Sequence, residues 1–127
     1  MQWEIDILKK ARDIIANQDG LSRGTYYNKE RDCYCIMGAI IDAYAHGGSK
    51  MNILNDVSML SHPKVGYFFN SGNDYFGKFV RLLGFEYGGE LFSWNDKQTD
   101  KQAILDKFDA TIARLEMEGQ EDATSTT

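Results

Sequence analysis

Hydrophobic positions recur at helical spacing through most of the chain. Over residues 3–18, Ile5, Leu8, Ala11 and Ile15 form one stripe, widened by Ile7 and Ile14, while Glu4, Lys9, Lys10, Arg12 and Asp13 fall largely opposite. That predicts an amphipathic helix, stopped by Asn17-Gln18-Asp19-Gly20. Residues 21–31 are polar and aromatic without a helical period and read as a loop or short strand. Asp32 is then placed to cap a second helix over 33–45, whose residues are apolar almost all round. A helix without a polar face is normally enclosed by the rest of the protein. Gly38 and Ala39 mark where another backbone can approach it, and Asp42, its one charge, needs a partner or a route to water.

Weaker signals follow. Ser49 can cap a helix with Ile53, Leu54, Val57 and Leu60 on one face, ended by Pro63, the only proline. Residues 65–69 form a short apolar patch before the turn cluster Asn70-Ser71-Gly72-Asn73. Asp74 caps a helix to about Leu83, with Phe76, Phe79, Val80 and Leu83 inward and Gly84 at its stop. Residues 85–94 are punctuated by glycine and read as a loop or small hairpin. Thr99, with Gln102 three positions on, makes a capping box for a last helix carrying Leu105, Phe108, Ile112 and Leu115. The reading is a mainly α fold: a small single-domain helical bundle around a buried central helix, with room for a minor β-hairpin. The globular part is assigned to residues 1–117, and 118–127 to a disordered acidic, Thr-rich tail with nothing to bury.

Composition excludes several classes. A length of 127 residues makes one domain, and 13% aromatics supply a core without staples. No apolar run approaches the roughly 20 residues of a membrane span. The opening Met1-Gln2-Trp3-Glu4-Ile5-Asp6 has neither a basic nor a hydrophobic stretch, so no signal peptide is expected. The net charge is −5, and from residue 100 onward seven acids face three bases. Arg23, Lys29 and Arg31 are the one local basic cluster, interrupted by Glu30, so direct nucleic-acid binding is not expected.

Candidate chemistry is sparse. Cys33 and Cys35 are too close for a disulfide framework and open the expected central helix, where the dipole favours a thiolate. His46 lies eleven residues beyond Cys35, ~16 Å along a continuous helix, and cannot form a dyad with it. His62 as base and Asp96 as orienter are the groups that tertiary folding could bring to Cys35. Buried structural cysteine is the competing reading. Cys-x-Cys with two distant histidines lacks zinc spacing, and no phosphate-binding loop is present, so neither a metal nor a cofactor is expected. Trp94-Asn95-Asp96 reads either as a buried Trp anchor with an Asx turn, or as polar groups of an aromatic-lined pocket near Cys35. Tyr26, Tyr27, Tyr67, Phe68, Phe69, Tyr87 and Phe92 either fill the core or, exposed together, form a binding surface.

Taken together, Gly24-Thr25-Tyr26, Cys35-Ile36-Met37-Gly38-Ala39-Ile40, Trp94-Asn95-Asp96 and Thr99 resemble a family of small uncharacterised proteins of actinobacteria and bacteriophages. The resemblance covers residues 5–46 and 92–115, with 62–91 reading as an insertion. It implies a bacterial or phage cytoplasmic setting, carries no activity, and groups Cys35, Gly38, Ala39, Trp94, Asn95 and Asp96 as one unit. The leading expectation is a non-enzymatic binding protein, a phage or mobile-element accessory factor that occludes a host protein or captures a small-molecule ligand. Its binding residues would be Tyr67, Phe68, Phe69, Trp94, Asn95 and Asp96. The alternatives are a cysteine-dependent hydrolase or transferase using Cys35, His62 and Asp96, and a purely structural or homodimer-forming domain.

Overall fold

The computed structural model describes residues 2–46, 63–70, 72 and 74–125. Among these are six helices and one two-stranded sheet: α1 (Gln2–Asn17), β1 (Tyr27–Asn28), β2 (Cys33–Tyr34), α2 (Ile36–His46), α3 (Pro63–Asn70), α4 (Tyr75–Leu82), α5 (Gly88–Lys97) and α6 (Gln102–Ser125). The strands pair antiparallel, Tyr27 opposite Tyr34 and Asn28 opposite Cys33. The helix expected over 53–60, with its cap at Ser49, lies outside the described residues.

The central helix is enclosed, as its all-round apolar character demands. Residues 33–43 are buried without a break, and α1 packs on both α2 and α6. Ile5, Leu8, Ala11, Ile14 and Ile15 of α1 meet Ile36, Met37, Ile40 and Ile41 of α2 and Ile104, Phe108, Ile112 and Leu115 of α6 in one core. Phe79, Val80, Phe68 and Leu91 close it from the remaining helices. Asp42 is fully buried; burial first, and the nearby Asp42 carboxylate second, push the Tyr34 phenol upward. Asp74 caps α4 as expected, accepting from the Gly77 N–H at 3.1 Å.

Five local expectations are corrected. Asp32 does not cap α2: it sits at φ 50°, in the left-handed turn of the hairpin, so Cys33 and Tyr34 are strand. The helix begins at Ile36, and Cys35 becomes its cap. Its carbonyl takes the first helical bond from Ala39 N–H at 3.0 Å, and its sulfur accepts from Gly38 N–H at 3.3 Å. The patch at 65–69 is helical, because Pro63 starts α3, a position where a missing N–H leaves nothing unsatisfied. Its neighbours Val65 and Phe68 then share a buried face.

Residues 88–97 form α5 rather than a loop or hairpin. Gly88 serves close packing there: a Cβ would stand 2.7 Å from Phe76 Cζ. Trp94-Asn95-Asp96 is accordingly helical, and the expected Asx turn does not form. Finally, α6 starts after Thr99. Asp100 Oδ1 accepts the Gln102 N–H at 2.8 Å, and the Gln102 side chain reaches forward to Asp106 instead of back to Thr99. Lys101 explains the shift, since its ammonium donates to the Ala16 and Gln18 carbonyls and thereby satisfies the C-terminal end of α1.

Candidate functional site

The segment after α1 and the C-terminal part of α5 converge on the N-terminal end of α2. The segment 22–26 leaves α1, doubles back and is tied to itself: Ser22 Oγ donates to the Thr25 carbonyl at 2.9 Å and lies 2.8 Å from Thr25 Oγ1. Gly24 takes φ +80°, which only glycine adopts without strain, and this turns its N–H toward α5. That N–H donates to Asp96 Oδ1 at 3.1 Å. Arg23 anchors the same segment through Nε and Nη2 to the Gln98 carbonyl, at 2.9 and 2.6 Å. Tyr26 then offers its carbonyl to Cys35 N–H at 3.0 Å. Gly38 is required where it stands, because a Cβ there would sit 2.1 Å from the Tyr26 carbonyl oxygen.

Asn95 is the amide that joins these pieces. It is 1% exposed, its Oδ1 accepts from Ile36 N–H at 3.0 Å, and its Nδ2 donates to the Ser22 carbonyl at 3.0 Å and to Asp96 Oδ1 at 3.1 Å. One side chain thus caps α2 from α5 and holds the 22–26 segment between them. A helix start leaves backbone donors unpaired, and here Asn95 and the Cys35 sulfur take two of them.

A cavity of about 300 Å3 opens beside this junction, lined by Gly24, Thr25, Tyr26, Cys35, Phe92 and Asp96. Its aromatic walls meet edge to face: the Tyr26 and Phe92 centroids are 5.6 Å apart, with planes at 73°. Burial pushes the Cys35 thiol from its ordinary 9.0 up to about 11, partly opposed by the Gly38 and Met37 N–H groups and reinforced by the Asp96 charge. Tyr26 is likewise pushed up to about 12, by burial first and by Cys35 second. At neutral pH the cavity therefore presents a protonated thiol and a neutral phenol, beside the exposed Asp96 side chain.

Of the residues singled out from the sequence, Cys35 and Asp96 line this cavity and Asn95 braces it. Trp94 faces elsewhere, with Phe85 at 5.6 Å and the Lys107 ammonium 5.2 Å from its ring. On α3, Phe68 is completely buried, Phe69 is half-buried against Tyr26 and Phe76, and Tyr67 is 49% exposed beside Tyr75. Those three aromatics do not share one surface. His62 lies outside the described residues, and His46 ends α2 at the pole opposite Cys35. Gly24 and Thr25 enter the sequence reading only through the Gly-Thr-Tyr motif, Tyr26 through that motif and the loop aromatics, and Phe92 through the loop aromatics alone, none of them as a site residue. The usable signal was the spacing of Phe92 and Asp96, four apart, which shares a face only once 88–97 is read as helix. Among the described residues no three His, Cys, Asp or Glu side chains gather as metal ligands.

Fold and site together define a small helical domain with a preformed cavity where a buried helix begins. Over residues 4–114 the chain matches a family of unknown function (DUF6197), and it belongs to that family. The match runs through 62–91, the stretch that reads as an insertion beside the two flanking segments. No curated protein and no solved structure matches the chain.

Proposed function

We propose that this protein is a non-enzymatic binding protein whose cavity at the head of α2 captures a small ligand. The observation that carries this reading is the cavity itself, bounded by backbone that hydrogen bonds fix before any ligand arrives. Its volume of about 300 Å3 lies at the small end of ligand sites. Preorganisation of this kind lowers the entropy lost on binding. A thiol pushed up to about 11 is protonated at neutral pH, which favours a binding role for Cys35 over a nucleophilic one. The resemblance to phage and actinobacterial proteins supports an accessory role in a bacterial cytoplasm.

The test is thiol alkylation of the folded protein at pH 7.5, with sites assigned by peptide mass. The binding reading expects Cys35 to remain unmodified until denaturant is added. Rapid labelling of Cys35 in the native state would discard it in favour of a cysteine-dependent hydrolase or transferase. Occlusion of a host protein is a second reading, favoured by Trp3 and Tyr67, which are 37% and 49% exposed and both contact Tyr75. It expects a partner captured from host extract to be lost on Tyr67→Ala.

A further inference from the structure

We infer that the ligand of this cavity is a small organic cation, its positive nitrogen held between the Asp96 carboxylate and the rings of Tyr26 and Phe92. The inference rests on the reading of the cavity as a ligand site and adds the chemical class.

Asp96 is the charged residue of the lining. Its Oδ1 accepts from Gly24 N–H and Asn95 Nδ2, which fixes the carboxylate in place. Among the described residues it forms no ion pair. The nearest basic residue in the loop, Arg23, has Nε and Nη2 engaged by the Gln98 carbonyl and Nη1 directed to the Leu21 carbonyl at 3.4 Å. A carboxylate fixed by two neutral donors thus stands at the cavity with no cationic partner among the described residues.

The walls suit the same ligand. Aromatic faces attract a cation placed within about 6 Å of the ring centre, and both Tyr26 and Phe92 line this cavity with their planes at 73° to one another. The neutral Cys35 thiol adds no charge of its own and offers a soft, weakly polar floor.

An anion is the class a helix N-terminus would ordinarily invite. Here that invitation is withdrawn. Ile36 N–H is given to Asn95 and Gly38 N–H to the Cys35 sulfur, so these donors are spent inside the protein. The Asp96 charge repels an anion as well, and the net charge of −5 disfavours its approach.

The experiment titrates the full chain with two probes of equal shape, choline and its neutral carbon isostere 3,3-dimethylbutanol, and with butyrate as the anion. Amide chemical shifts of Gly24, Thr25, Tyr26 and Cys35 are followed by NMR. The expected result is choline binding at least tenfold tighter than the isostere, no shift with butyrate, and weakening of choline alone as salt is raised. Asp96→Asn keeps an oxygen to accept from Gly24 N–H, so the loop should hold while the preference for choline over the isostere disappears. If the isostere binds as tightly as choline, or butyrate binds best, the cation assignment fails while the cavity remains a ligand site. If none of the probes moves these amides, the cation assignment falls together with the ligand-site reading beneath it. The wild-type series decides these outcomes even where Asp96→Asn fails to fold.

Discussion

The shaft of α2 and its N-terminal end are held in place by different physics. Along the shaft, Ile40 and Ile41 are fully buried in the common apolar core, where α2 packs on α1 and α3, and the holding force is exclusion of water, which is non-directional. At the head, Asn95, Gly38, Ser22 and the Tyr26 carbonyl fix positions by directed hydrogen bonds and by one backbone contact that admits no Cβ. A shaft of this kind tolerates substitutions that conserve volume. The head tolerates few substitutions of any kind, because each group is bound to specific partners at a fixed geometry. It is also the region that carries the cavity, so the part of the molecule with the least chemical freedom is the part offered to a ligand.

The contrast is broken most severely by emptying the shaft. Phe108→Ala removes a fully buried ring and should destabilise the fold by about 3–5 kcal/mol, read from the urea midpoint. Phe108→Leu should lose far less, and a leucine variant as damaged as alanine would contradict a volume-governed shaft. At the head, Gly38→Ala forces a methyl group against the Tyr26 carbonyl, with Tyr34 Cδ1 3.2 Å away, and should cost about 1–3 kcal/mol. Amide shifts in 22–26 should move with it; an unperturbed loop would mean that the head yields easily.

Asn95→Ala should follow at about 1–2 kcal/mol, since it strands the Ile36 N–H and the Ser22 carbonyl. Hydrogen exchange at Ile36 should accelerate while exchange in the middle of α6 keeps its ranking. Alkaline pH weakens the head through Cys35. The folded chain retains the Cys35 proton until about pH 11, whereas the unfolded chain releases it near 9, so this contribution is whole below about pH 9 and is lost as pH rises toward 11. Tyr26 and Tyr27, both pushed up to about 12, extend the loss in the same direction. Denaturation midpoints followed from pH 8 to 11 should fall less steeply for Cys35→Ala than for the natural chain; identical slopes would remove Cys35 from the account. The smallest change belongs to the surface. Arg12→Ala deletes the Arg12–Asp109 pair between α1 and α6 at 2.9 Å and should shift stability by less than about 1 kcal/mol, and less still in high salt.

Legibility in the sequence followed the same division. The first and last helices were readable from an apolar stripe repeated over three or more turns, as in Ile5, Leu8, Ala11 and Ile15, the second from an apolar run with no polar face, and the fourth from its Asp74 cap and Gly84 stop. The third and fifth were not. Each is short, and α5 opens on Gly88-Gly89, residues that local reasoning assigns to turns. Its helicity is imposed by packing against Phe76 and by Leu91 entering the core. A loop or hairpin over 85–94 with an Asx turn at Asn95 does not align Phe92 with Asp96, which α5 does. The pocket reading of Trp94-Asn95-Asp96 nonetheless puts Asp96 at the Cys35 end of the central helix, where the cavity lies.

What the chain dictated by itself was the helical class and the burial of its middle helix, because periodicity and an unbroken apolar run are local properties that survive any arrangement of neighbours. What folding alone decided was the cavity. Residues 24, 35, 92 and 96 stand on a loop, a cap and a helix whose register depends on Asn95 reaching across 59 positions of sequence to the N–H of Ile36. A hydrogen bond between groups so distant leaves no periodic trace in composition or spacing, and only the assembled core brings them within 3.0 Å.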